Sequence, residues 1–218
     1  TRIEGHQATV FLTAQYFGWK LSDWFAFPVG NGSNGSSIGK ARRLLGNWGM
    51  DIEHCKMLGC QSRAANPLAK SWNLAGQGNW NPHDPLFLEK WQAAYQKVEA
   101  GETTATAAKI GDPTSRDKIM REIVASKGAM QIAEEADLNE AVAVCGKDGH
   151  FVCPQTGIAL DGVRSAVKKG WIKKGERVVV VSTATGLKFT ESAAASLAGN
   201  IIDADDCQSE TVARILGI

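Results

Sequence analysis

No Cys-x-x-Cys pair occurs in this sequence, no apolar run is long enough to cross a bilayer, and neither sign of charge prevails. Each absence excludes something. The five cysteines, Cys55, Cys60, Cys145, Cys153 and Cys207, form an odd set without zinc-ligand spacing. That pattern fits buried thiols in a reducing compartment better than a disulfide framework or a zinc site. The missing apolar run leaves no candidate membrane helix. A net charge of +1 without a basic stripe argues against a nucleic-acid partner. The opening TRIEGHQ carries no initiating Met, signal peptide or transit-peptide composition, and predicts a processed or truncated piece.

What is there reads as an ordinary globular chain: 218 residues, 44% hydrophobic and 22% charged, enough to bury a substantial core. Val10, Phe11, Ala14 and Phe17 share one helical face within Gly5 to Phe17. The apolar run at 24–29 predicts a strand, residues 35–46 a helix, and Cys55 to Cys60 a second strand. Residues 66–104 lack clear periodicity and are read as a helix-containing surface or interface excursion, with an amphipathic stretch at Leu86–Val98. Alternation then returns. Arg116–Ser126 is helical, Ala129–Ala133 a strand, Asp137–Cys145 a helix, and Pro154–Lys169 a helix with proline in its first turn. Arg177–Ser182 is the strongest strand signal, its run of β-branched residues predicting burial on both faces. Ser192–Gly199 is rich in small residues. The fold class expected is α/β, a mostly parallel sheet flanked by helices.

One stretch carries chemistry. Phe27-Pro-Val-Gly-Asn-Gly-Ser-Asn-Gly-Ser-Ser-Ile-Gly-Lys40 joins a strand to a helix, the layout of a phosphate cradle built from backbone N–H groups and a helix N-terminus. A Walker A loop fails, because Gly39-Lys40 is followed by Ala41 rather than Ser or Thr. A dinucleotide site wants an acid at the carboxyl end of the next strand, and Asp51 and Glu53 precede that strand. A turn that holds nothing and a cup for one small phosphomonoester, lined by Asn31, Ser33 and Asn34, both fit the loop taken alone.

Six segments in order resemble the threonine synthases, a family of fold-type II pyridoxal-phosphate enzymes. They are Arg2-Ile-Glu-Gly (family R-L-E-G), Pro28-Val-Gly-Asn-Gly-Ser-Asn34 (P-V-G-N-A-G-N) and Gln61–Leu68. Thr104–Ser115 (T-x-A-T-A-I-x-I-G-N/D-P-x-S), Phe151–Gly157 (F-I-C-P-H-T-G) and Val179–Phe189 (V-V-V-S-T-A-H-G-L-K-F) follow. The resemblance implies a tryptophan synthase β-like fold, with residues 1–218 forming the large cofactor domain. It implies that Gly30, Asn31, Gly32, Ser33 and Asn34 hold the phosphate of pyridoxal 5′-phosphate and that Thr183 faces the ring nitrogen. It further implies that Arg2 and Asn31 bind the phosphate of O-phosphohomoserine, which the enzyme and water convert to threonine and phosphate. A guanidinium suits that task through its bidentate fork. A homodimer in cytoplasm or plastid stroma goes with the family.

Simpler readings stand beside these. Arg2 can be a frayed, solvated residue; Thr183 can merely end a strand, with Ser182 its substitute if the register slips. Lys188 reads as solvated, Gln155 and Thr156 as helix caps, and His150 as a loop residue. Ser33 stands at a family glycine and is strained there if the position needs a positive φ. Gln155 and Thr185 replace two family histidines. The family's Schiff-base lysine, in an S-F-K-D segment, has no counterpart here, so the chain is expected to be inactive alone. The alternatives are another fold-type II pyridoxal-phosphate lyase on a related phospho-amino acid, and a non-catalytic half-domain serving assembly.

Overall fold

Every strand of the sheet runs the same way. A computed structural model describes residues 2–76, 81, 83–191, 206 and 208–217. Helices α1 (Arg2–Gly5) and α2 (Ala8–Tyr16) lead to strand β1 (Trp24–Pro28), then α3 (Ser33–Asn47) and β2 (Lys56–Ser62). Next come α4 (Pro67–Gly76), α5 (Phe87–Ala94), a 3-10 turn at Thr106–Ala108, α6 (Arg116–Ala125) and β3 (Ala129–Ala133). Helices α7 (Glu135–Lys147) and α8 (Pro154–Lys168), β4 (Val178–Val180) and a 3-10 turn at Gly186–Lys188 follow, with a last helix at Ser209–Leu216. The strands pair in parallel in the order β3-β2-β1-β4, Trp24 facing Lys56 on one side and Val178 on the other.

The parallel sheet is covered on both faces, which is why β1 reads WFAFP and is buried at all five positions. Adjacent residues of β2 identify the two layers. Gly59 faces Ile123 of α6, whereas Cys60 faces Gly162 of α8. Trp24, Phe25, Phe27, Met57, Leu58 and Ile119 fill the core between these layers. The cysteines Cys55, Cys60 and Cys153 are buried and free, and Cys145 is free and half-buried; Cys207 and the Ser192–Gly199 stretch lie outside the described residues. Among the described residues no helix is long and apolar enough to cross a membrane.

Two expectations are corrected. The strand within Arg177–Ser182 covers only Val178–Val180 and is half-buried, not buried on both faces. It lies at the sheet edge, pairing with β1 alone among the described residues. Consecutive β-branched residues report a preference for extended backbone, not a place in the sheet. The 66–104 excursion is not simply a surface element either. It drives Trp72, Phe87 and Trp91 into the core, Trp72 meeting Phe87 at 4.4 Å between ring centroids. The Trp91 indole N–H donates to the Leu68 carbonyl at 3.3 Å, satisfying its one polar group. In α5, Phe87, Leu88 and Trp91 share one face at helical spacing, and that short apolar stripe with its aromatic anchors carries the burial signal.

Candidate functional site

Strand order locates a crevice. The chain lays down β1, β2 and β3 moving outward in one direction, then returns to place β4 on the other side of β1. In open parallel sheets that reversal separates the loops at the carboxyl ends of two neighbouring strands, which leaves room for a ligand. Here those loops are Val29–Gly32 after β1 and Val181–Thr185 after β4.

The β1 loop has the geometry of an anion cradle. Gly32 is the N-cap of the 15-residue helix α3, with φ of +83°, and no side chain caps that end. The first intrahelical bond is Ser36 N–H to the Gly32 carbonyl at 3.0 Å, so the N–H groups of Ser33, Asn34 and Gly35 lack helical acceptors. Asn34 Nδ2 is buried and also lacks an acceptor. Partial positive charge at the helix start adds to the pull on an anion. The expected strain at Ser33 does not arise. Ser33 is helical, and the left-handed position falls on Gly32, one residue earlier than the family spacing places its glycine.

Several elements hold the cradle from outside. Gln61, fully buried on β2, donates to the Val29 carbonyl at 3.4 Å and accepts the Leu68 and Ala69 N–H groups at 2.9 and 3.0 Å. The segment around Ala107–Ile110 presses so closely that a Cβ on Gly30 would lie 3.1 Å from Ile110 Cδ1. Ser115, at the start of α6, donates its N–H to the Asn31 carbonyl at 3.1 Å. Thr114 approaches Asn31 Oδ1 through its N–H at 3.4 Å and its hydroxyl at 3.5 Å. Exposed Asn31 therefore keeps its amide nitrogen for other acceptors.

Arg2 reaches the same neighbourhood through α1. The Ser37 hydroxyl donates to the Ile3 carbonyl, and Lys40 pairs with Glu4, fastening α1 against α3. Arg2 then lines a groove of about 830 Å³ together with Ser33, Ser36, Ser115, Lys118 and Arg121. Glu122, at the far side, is taken by Arg43 through a bidentate contact with a closest approach of 2.7 Å. Arg2, Lys118 and Arg121 have no carboxylate partner among the described residues, so the groove is electropositive.

Thr183 lies at the end of β4 and lines a different cavity, of about 650 Å³, with Ser182, Thr185, Thr156 and His150. The structure does not place Thr183 and Ser33 in one cavity; it places their loops on adjacent parallel strands. A short antiparallel contact brings the start of α8 to Thr183: Val152 bridges Thr185, and Cys153 N–H donates to the Ala184 carbonyl at 3.2 Å. Cys153 Sγ then lies 3.2 Å from Thr156 Oγ1 and 3.4 Å from Thr183 Oγ1. Burial pushes that thiol up, but hydrogen bonding with the Thr156 and Thr183 hydroxyls and with the Thr156 and Ala184 N–H groups outweighs it and holds it below its ordinary range. Thr185 is occupied locally, its side chain accepting the Leu187 N–H at 3.3 Å. Gln155 is buried, with Nε2 lacking an acceptor.

A family model described as pyridoxal-phosphate dependent enzyme matches residues 1–184. The chain belongs to that family. Its cofactor is pyridoxal phosphate, and the residues present fit it: an uncapped helix start, a buried amide without an acceptor, and hydroxyls in the loop that follows the neighbouring strand. The chain is 32% identical over 191 residues to threonine synthase 2, chloroplastic, of Arabidopsis thaliana, covering 88% of this chain and 34% of that protein. Among solved structures, a fungal L-serine ammonia-lyase from Rhizomucor miehei superposes with a TM-score of 0.63 at 13% identity, over 88% of this chain and 55% of that one. Threonine synthase from Escherichia coli gives 0.56 at 14% identity, over 88% and 39%. These likenesses show a fold-type II pyridoxal-phosphate fold. The chain thus spans between a third and about half of the proteins it matches.

Motif reading missed the supports. Gln61, Ser115, Cys153 and Thr156 hold the loops through contacts between segments far apart in sequence. Their signal was only their membership of quoted motifs.

Proposed function

We propose that residues 1–218 are the cofactor-binding domain of a threonine synthase acting on O-phosphohomoserine. The observation that carries this reading is the convergence of Arg2 and Ser33 on one electropositive groove at the start of α3, alongside 32% identity to a threonine synthase. A phosphorylated substrate needs a cation beside the cofactor's phosphate cradle, and a free guanidinium there answers that need.

Bound pyridoxal phosphate supplies an electron sink for elimination and replacement at the substrate's side-chain carbons. The chain's own residues have four tasks. Amides of Ser33, Asn34 and Gly35 and the Asn34 side chain hold the cofactor phosphate, with Gly30, Asn31 and Gly32 shaping the loop. Arg2 and the Asn31 amide nitrogen orient the substrate phosphate. Thr183 offers a neutral hydroxyl to the ring nitrogen, and a neutral partner leaves that nitrogen unprotonated. The lysine that joins the cofactor lies outside these residues, so this chain alone is inactive and the native polypeptide is roughly twice 23.3 kDa. The assembled enzyme is a homodimer, in cytoplasm or plastid stroma.

Another fold-type II lyase is the second reading. Thr185 and Gln155 stand where the family has imidazoles, and Thr185 spends its side chain on a local cap, so proton handling at these positions differs. Incubating the intact enzyme with O-phosphohomoserine separates the two. Equimolar threonine and phosphate support the first reading; phosphate or ammonia without threonine sinks it.

A further inference from the structure

We propose that Cys153 and Thr156 are positioning residues that aim the Thr183 hydroxyl at the cofactor's ring nitrogen. This rests on the reading above of Thr183 as the ring partner. Thr183 is exposed and follows an edge strand, where a threonine rotor is free to sample its staggered wells. Three contacts restrict it. Its N–H donates to Thr156 Oγ1 at 3.3 Å, its Oγ1 lies 3.4 Å from Cys153 Sγ, and Sγ lies 3.2 Å from Thr156 Oγ1. The two anchors are rigid where Thr183 is not. Cys153 is fully buried as the N-cap of α8, Thr156 is 2% exposed in its first turn, and the Cys153–Ala184 and Gly186–Phe151 hydrogen bonds lock that turn to the β4 loop.

Counting protons fixes the direction of the chain. A neutral ring nitrogen is only an acceptor, so the single Thr183 hydroxyl proton must go to it. Thr183 Oγ1 must then accept from sulfur, which commits the one S–H proton of Cys153. Sulfur in turn accepts from the Thr156 hydroxyl. Each proton is used once along Thr156, Cys153, Thr183 and the ring nitrogen. Ser182 Oγ, 3.4 Å from Thr156 Oγ1, is the competing acceptor. Removing the sulfur releases the Thr183 rotor and breaks the chain; serine at that position keeps a donor on a shorter reach.

The test uses the intact polypeptide freed of its own cofactor and ring-¹⁵N-labelled pyridoxine 5′-phosphate, which lacks the aldehyde and so cannot form an imine with any lysine. Three-bond couplings at Thr183, with and without the probe, read its rotamer; the ¹⁵N shift reads the hydrogen bond at the ring. The unsubstituted chain should show one Thr183 rotamer and a hydrogen-bonded ring nitrogen. Thr183→Val and Cys153→Ala should move the ring signal the same way, toward free pyridine, and weaken binding roughly threefold to tenfold, the scale of one neutral hydrogen bond. Cys153→Ala should also average the Thr183 couplings, Cys153→Ser should restore part of both signals, and Ser182→Ala should leave them unchanged. If Thr183→Val moves the ring signal but Cys153→Ala and Cys153→Ser move neither signal, the positioning role is overturned and the ring contact survives. If Thr183→Val leaves the ring signal unmoved, or the chain does not bind the probe, the reading of Thr183 falls and takes this inference with it. Should Cys153→Ala fail to fold, Cys153→Ser and Thr156→Val decide the question by the same two readouts.

Discussion

The two strand ends that flank the crevice are built on different plans. After β1 the contacts offered are backbone N–H groups, set by one left-handed glycine and clamped by β2, the Ala107–Ile110 segment and α6. After β4 the contact offered is a side-chain hydroxyl on an exposed residue just beyond an edge strand, steadied by buried groups about 30 residues earlier in the chain. The first plan suits a fixed dianion, since amides are rigid and cannot change protonation state. The second suits tuning, because a hydroxyl's donor or acceptor role depends on what it touches.

This contrast can be broken in several ways, beginning with the largest effect. Phe27→Ala, at a fully buried position of β1, should lower stability by about 3–5 kcal/mol. Val179→Ala, on half-buried β4, should cost only about 1 kcal/mol, the value of two half-buried methyl groups. Equal losses in chemical denaturation would remove the distinction between a central and an edge strand. Gly32→Val comes next. It forces a branched residue to φ of +83° and sets a Cβ 2.9 Å from Ile119 Cγ2. Binding of pyridoxine 5′-phosphate should fall roughly 100-fold, as two charge-assisted contacts are lost, against roughly threefold to tenfold for Thr183→Val. A smaller loss for Gly32→Val than for Thr183→Val, measured by calorimetry, would invert the two plans.

Arg2→Ala in the intact enzyme should raise KM for O-phosphohomoserine roughly 10- to 100-fold, with cofactor binding unchanged. Arg2→Lys should recover little, because an ammonium lacks the guanidinium fork. The smallest effect lies away from both ends. Burial, and then Asp137, raises the Asp161 carboxyl above its ordinary value. A folded state that binds this proton more tightly than the unfolded chain loses stability as pH rises through the carboxylate range. Asp161→Asn should therefore raise the unfolding midpoint at pH 7, and the gain should vanish below about pH 3. A gain that persists at low pH would point to packing instead.

The legibility of the sequence follows the same division. The β1 loop was readable because its form follows from glycine spacing between a strand and a helix. The strands at 24–29, 55–60 and 129–133 were readable because parallel strands covered on both faces are largely apolar, Lys56 and Gln131 being their polar exceptions. The edge position of Val178–Val180 was not, since local composition carries no information about which strand lies beside it. Nor was the sulfur–hydroxyl chain, because Cys153, Thr156 and Thr183 meet only after α8 has folded back beside β4. The tryptophans of α4 and α5 were visible as residues but not as core, because helices of 10 and 8 residues present only a short apolar face amid irregular sequence.

The central claim is that backbone amides at the start of α3 grip the phosphate of a vitamin B6 ligand. Titrating the ¹⁵N-labelled chain with pyridoxine 5′-phosphate and following amide shifts tests it most directly. The account predicts saturable shifts that are largest at Ser33, Asn34 and Gly35, and much smaller shifts from the same ligand in Gly32→Val. Saturation with the largest shifts elsewhere, such as around Arg43 at the far end of α3, or no saturable shift at all, would contradict it.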